Sequence, residues 1–143
     1  RNHRKTERKP VKASFDTSAV LRVLIPDIPD QTHAVRTLLR ECRAGEQIAV
    51  ADIAIVEAVH VLQRYYQFER RDIADLISNF MNLRSINCNR VMIAKALKIY
   101  VIQPVLSFED CCLSVYAELN DASPLYTFDK KLARQLSQAR IIA

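Results

Sequence analysis

The sequence predicts an α/β fold built on a mainly parallel central sheet. Short apolar segments alternate with amphipathic stretches of about ten or more residues, the pattern of strands joined by crossover helices. The 143 residues are half hydrophobic and about a quarter charged, enough for one domain with a substantial core. Gly45 is the single glycine, which excludes Walker loops and dinucleotide fingerprints, since both need several glycines for close backbone approach to phosphate.

In chain order, Val11 to Phe15 reads as a buried strand followed by the turn and cap residues Asp16-Thr17-Ser18. The apolar segment Ala19 to Ile25 stops at Pro26. Asp30 is placed to cap a helix carrying Ala34, Val35, Leu38 and Leu39 at helical spacing, with Gly45 just beyond its end. Ile48 to Ala51 reads as a strand, and Asp52 as the cap of a helix running to about Tyr65. Residues 70–82 predict an amphipathic helix with Ile73, Leu76, Ile77 and Phe80 on one face.

Ser85 to Cys88 predicts a short strand, and Asn89 the cap of a helix from Arg90 to about Val101, closed by Pro104. Ser107 caps a helix over Phe108 to Leu119. Pro124 to Thr127 is strand-like, Lys130 to Gln138 helical, and Arg140 to Ala143 a final edge strand.

The net charge of +5 is carried by residues 1–12, which hold six Lys/Arg against Glu7 and leave the remainder balanced. Residues 1–10 are therefore read as a basic, flexible arm and residues 11–143 as the folded domain; such an arm adds salt-sensitive affinity for phosphates. Cys42, Cys88, Cys111 and Cys112 form no C-x-x-C pair and read as reduced thiols. No charge-free stretch approaches the roughly 18 residues of a membrane span, and the N-terminus is too polar for a signal peptide. The expectation is a cytoplasmic protein with no membrane association.

In a parallel sheet the functional crevice lies outside the carboxyl ends of the strands. Asp16 and Asp129 directly follow strands, while Glu57 and Asp110 fall in the opening turns of helices that start from the same edge. The apolar sequence neighbours of Glu57 and Asp110 place both facing the interior, where clustered carboxylates raise one another's pKa unless a cation neutralises them. Hard oxygen ligands suit Mg²⁺ or Mn²⁺. Each acid also has a structural alternative: a turn or cap for Asp16, an ion-pair partner for Glu57, a first-turn acid for Asp110 and a cap for Asp129.

Other constellations are weaker. Glu57 and His60 make one E-x-x-H pair without the second that a di-iron bundle needs. Histidine and cysteine spacing does not suit zinc, and G-x-S-x-G is absent. Tyr65, Tyr66 and Phe68 beside Arg64, Arg70 and Arg71 suit base stacking or, more ordinarily, aromatic packing at a helix end.

SFDTSAVL, IVEAVHVL, SFEDCCLSVYAEL and PLYTFDKKL, in that order, resemble PIN-domain ribonucleases, most of all the VapC-type toxins of toxin–antitoxin pairs. The resemblance runs from about Val11 to the C-terminus; the first ten residues have no counterpart, and Cys111-Cys112 stand where small or aliphatic residues are usual. It implies a three-layer α/β/α PIN-like fold and a Mg²⁺- or Mn²⁺-dependent endoribonuclease. The acidic site it implies is Asp16, Glu57, Asp110 and Asp129, with Asp16, Asp110 and Asp129 on the metal and Ser18 and Thr127 in support. It further implies an RNA substrate, a cognate antitoxin and a homodimer, with Ala19 to Ile25 and Val91 to Val101 available as contact surfaces or core. The alternative is a non-catalytic PIN-like module that binds RNA or protein.

Overall fold

A computed structural model describes residues 11–143, so the basic arm over residues 1–10 lies outside the described residues. The elements run β1 (Val11–Phe15), α1 (Thr17–Leu24), α2 (Pro29–Arg40), β2 (Gln47–Val50), α3 (Asp52–Arg64) and α4 (Arg70–Met81). They continue with β3 (Ile86–Asn87), α5 (Arg90–Ile102), α6 (Phe108–Leu119), β4 (Leu125–Thr127), α7 (Lys130–Gln135) and β5 (Ala139–Ile141).

All strand pairings are parallel, as the crossover pattern requires. The sheet comes in two parts, β1-β2-β3 and β4-β5. Phe15 pairs with Val50 and Ala49 with Asn87, so the carboxyl ends of β1, β2 and β3 reach one edge together. Buried Gln47 stitches β2 to β3, its Nε2 donating to the carbonyls of Arg84 (3.1 Å) and Ile86 (3.3 Å) while its Oε1 accepts from Asn87 Nδ2 (3.2 Å).

The helices cover these strands through apolar stripes at helical spacing. α3 buries Ala54, Ile55, Ala58, Val59 and Leu62, and α5 buries Met92, Ile93, Ala96, Leu97 and Tyr100. The two apolar segments considered as contact surfaces thus contribute mainly to the core, although Val91 stays exposed. Tyr100 anchors the packing: its hydroxyl donates to Gln63 Oε1 of α3, and its ring meets Phe108 of α6 edge-on at 5.5 Å. Arg70 lies 4.1 Å over the same ring and donates to the Tyr100 carbonyl at 2.9 Å.

Several element ends differ from the sequence expectation. α2 starts at Pro29 with Ile28 as its cap, because proline's fixed φ suits the first helical position, and Asp30 falls inside the first turn. Asp52 is itself helical, behind Ala51, and Asn89 gives no capping hydrogen bond. α7 stops at Gln135, since Leu136 is extended and the chain turns there into β5. The cluster after α3 is packed in part: Tyr66 and Phe68 rings lie 5.9 Å apart, and the Tyr66 hydroxyl donates to Asp27 Oδ2 at 2.7 Å.

Candidate active site

The carboxyl edge of β1-β2-β3 carries one polar residue per strand. Asp16 follows β1 directly, Asp52 follows β2 after Ala51, and Asn89 follows β3 after Cys88. Asn89 Nδ2 donates to Asp52 Oδ2 at 3.4 Å, which links the second and third positions of this row.

Asp16 is exposed and caps α1. Its Oδ1 accepts from the Ala19 amide at 3.0 Å and from Ser18 Oγ at 2.7 Å. These bonds, the backbone one foremost, hold the Asp16 carboxyl below the usual aspartate range. That is the opposite of the rise expected from carboxylate crowding: hydrogen bonds to the ionised form dominate at a solvated helix N-terminus. Ser18 thus joins the Ala19 amide on the same carboxylate oxygen.

Asp129 is built in the same way at the other strand pair. Exposed after β4, it caps α7 with Oδ1, which accepts from the amides of Lys131 (2.9 Å) and Leu132 (3.2 Å). Thr127 Oγ1 accepts from the Asp129 amide at 2.9 Å and fixes the turn. The capping alternative thus holds for both residues, but it occupies one oxygen of each. Among the described residues neither Oδ2 accepts a hydrogen bond from the protein.

Asp110 is half-buried in the first turn of α6, where its amide donates to Ser107 Oγ at 3.0 Å. The next two residues are core: burial pushes both the Cys111 and Cys112 thiols up to about 12, so neither is a nucleophile at neutral pH.

Glu57 does not face the interior. It is exposed, opposite the buried stripe of α3, and lines two cavities along the seam between α3 and α6. One, of about 260 Å³, also holds His60, Gln63, Ser107 and Glu109; the other, about 450 Å³, holds Asp52, Glu109, Cys112 and Tyr116. Ser107, whose Oγ accepts from the Asp110 amide, thus lines the same cavity as Glu57. Asp52 and Glu109 are additional acids beside Glu57 that the sequence reading passed over, and Asp52 satisfied the same rule as Asp16, an acid at a strand's carboxyl end.

Carboxylate and hydroxyl oxygens are the donors a hard divalent ion prefers. Among the described residues, however, no three His, Cys, Asp or Glu side chains lie close enough to hold one. The predicted acids are distributed over the β1 edge, the α3/α6 seam and the β4 end, and they do not close around a common point.

The family model for the PIN domain matches residues 14–135, from β1 through α7. The chain belongs to the PIN domain family. A curated relative, the VapC ribonuclease of Aquifex aeolicus (strain VF5), is 28% identical over 122 residues, which is 84% of this chain and 89% of the relative. The PIN domain match spans all four predicted acids, Asp16, Glu57, Asp110 and Asp129. No described helix of this PIN domain is long and apolar enough to cross a membrane.

Proposed function

We propose that this PIN domain is a metal-dependent endoribonuclease, the toxin of a toxin–antitoxin pair, folded from Val11 onward and working as a homodimer held in check by a cognate antitoxin. The observation that carries the reading is that three of the acids matched to a PIN domain, Asp16, Asp110 and Asp129, stand at exposed or half-exposed helix starts and the fourth, Glu57, is exposed on α3, with Asp16 and Asp129 each presenting an oxygen not used by its cap. Similarity to a VapC ribonuclease supports RNA as the substrate and an antitoxin as the partner.

In this mechanism Asp16, Asp110 and Asp129 would hold Mg²⁺ or Mn²⁺, and the ion would supply activation of water and charge stabilisation at the phosphoryl oxygens. Glu57, exposed and lining its cavity, orients the attacking water and accepts its proton. Ser18 and Thr127 support the Asp16 and Asp129 turns, Ser18 through the Asp16 carboxylate and Thr127 through the Asp129 amide. Buried Cys111 and Cys112 leave hydrolysis to water.

A second reading, a non-catalytic PIN-like binding module, is favoured by one observation: no three acids converge on an ion among the described residues. Purified protein incubated with a mixed RNA pool separates the two. Cleavage that stops with chelator and returns with Mn²⁺ supports the nuclease; RNA retained intact under all conditions supports the module.

A further inference from the structure

Beyond the acids, β4 and β5 present a face that hydrolysis does not use. In β4, Tyr126, 60% exposed, stands between half-buried Leu125 and Thr127, and Phe128, 77% exposed, occupies the bend that follows the strand. Both aromatic side chains are open to solvent, two residues apart at the carboxyl end of the strand. In β5, exposed Arg140 pairs in register with Tyr126, and Ile142 follows two residues later. The Ile142 amide donates to the Thr127 carbonyl at 2.9 Å, so the strand pair continues to the rim beside Asp129.

The surroundings are cationic. Lys130 and Lys131 open α7 immediately after Asp129, both exposed, and Arg140 stands across from Tyr126. Among the described residues none of these three cations takes part in a salt bridge. Asp129 is the acid at this end of the face, and its Oδ1 is committed to the α7 cap. Two solvent-facing aromatics would cost nothing to replace with polar side chains if they served only the fold, since neither belongs to the core.

We propose that this face is a stacking platform for single-stranded RNA, with unpaired bases on Tyr126 and Phe128 and the backbone phosphates near Arg140, Lys130 and Lys131. Exposed aromatics interleaved with unpaired cations are the physical requirement for binding unpaired nucleic acid, because every base has a π-face and every linkage an anion. Duplex RNA keeps its bases stacked inside the helix and cannot use the rings. The platform ends at Thr127 and Asp129, so a bound strand is delivered to the β4 end of the proposed hydrolytic site. This inference rests on the ribonuclease reading for its choice of RNA, and it adds the strandedness of the substrate and the residues that select it.

The test is fluorescence anisotropy of the full chain with a short fluorescein-labelled single-stranded RNA, with chelator present so that no cleavage intervenes. Tyr126→Ala and Phe128→Ala are each expected to weaken binding by about tenfold. Phe128→Tyr and Tyr126→Phe restore it, which a disturbed Asp129 cap would not explain. Arg140→Gln lowers the salt slope by about 0.7. The same RNA annealed to its complement binds more weakly and is insensitive to the aromatic substitutions.

Unchanged affinity in both alanine variants overturns the platform, as does a wild-type chain that binds duplex as well as single strand. Variants that alter sedimentation but not RNA affinity mark the face as a protein interface and overturn it too. Because the assay needs no turnover, failure of the nuclease reading registers separately, as RNA that is bound through Tyr126 and Phe128 but never cut when metal is supplied.

Discussion

Replacing Ser107 with alanine removes one hydrogen bond, yet that bond fixes the turn that carries Asp110. Ser107 Oγ accepts from the Asp110 amide at 3.0 Å, and Ser107 also lines the cavity that holds Glu57. Loss of a serine cap costs about 0.5–2 kcal/mol. Ser107 is exposed, so water reaches the freed amide and the full penalty of a buried unpaired donor does not apply. The expected loss is about 1 kcal/mol, which lowers Tm by roughly 3–5 °C for a domain of this size. Urea unfolding should show a lower midpoint with an unchanged m-value, since the cap alters stability and not the surface exposed on unfolding. RNA cleavage should fall by more than stability alone explains, because the first turn of α6 frays where Asp110 sits. Ser107→Asp, which restores a capping oxygen, should recover the midpoint. A Ser107→Ala protein with the wild-type midpoint and wild-type cleavage would refute the idea that this cap positions the site.

Asp16→Asn and Asp129→Asn should each abolish cleavage while the circular dichroism spectrum stays unchanged, because asparagine caps a helix as well as aspartate but lacks the anionic oxygen; full activity in either variant removes that residue from the site. The depressed folded-state pKa of Asp16 means that its charged cap stabilises the fold above the ordinary aspartate pKa and that this contribution is lost as pH falls through the depressed value. The stability difference between wild type and Asp16→Asn should therefore shrink in acid, and a difference that grows instead contradicts the assigned sign. At pH 8 a thiol reagent should leave Cys111 and Cys112 unmodified in the native protein and react with them in urea, given thiols pushed up to about 12 by burial; rapid native labelling mapped to either residue counts against the α6 packing. Tyr100→Ala should cost ~3–5 kcal/mol, since it empties the junction of α3, α5 and α6; a midpoint shift of a surface-substitution size would contradict that junction.

The alternation of strands and helices was legible because each helix repeats its apolar positions at helical spacing and each strand is short and apolar. Ser107 and Asp129 were readable as caps, since each precedes a helix start with no competing residue. Asp30 misled because Pro29 beside it already fits the first helical position. Glu57 misled for a different reason: its sequence neighbours are apolar, but adjacent residues on a helix point in different directions. The stripe of Ala54, Ile55, Ala58, Val59 and Leu62 leaves position 57 outside. Asp52 was read only as a cap, which sufficed to explain an acid before a helix, whereas it stands inside the first turn behind Ala51. The distances between acids on different elements had no sequence signal at all, and the expected gathering of four carboxylates around one cation is not what the described residues show.

The most direct measurement is Mn²⁺ binding by electron paramagnetic resonance, comparing the wild-type chain with Asp16→Asn, Asp110→Asn and Asp129→Asn. If the separated carboxylates are ligands of a shared site, Mn²⁺ draws them together: the wild type shows saturable binding, and each single substitution weakens it by at least about tenfold, the size of one lost charge-assisted contact. Wild-type binding that survives all three substitutions, or no saturable binding even with uncleaved RNA present, would contradict a common metal centre and with it the proposed hydrolytic mechanism.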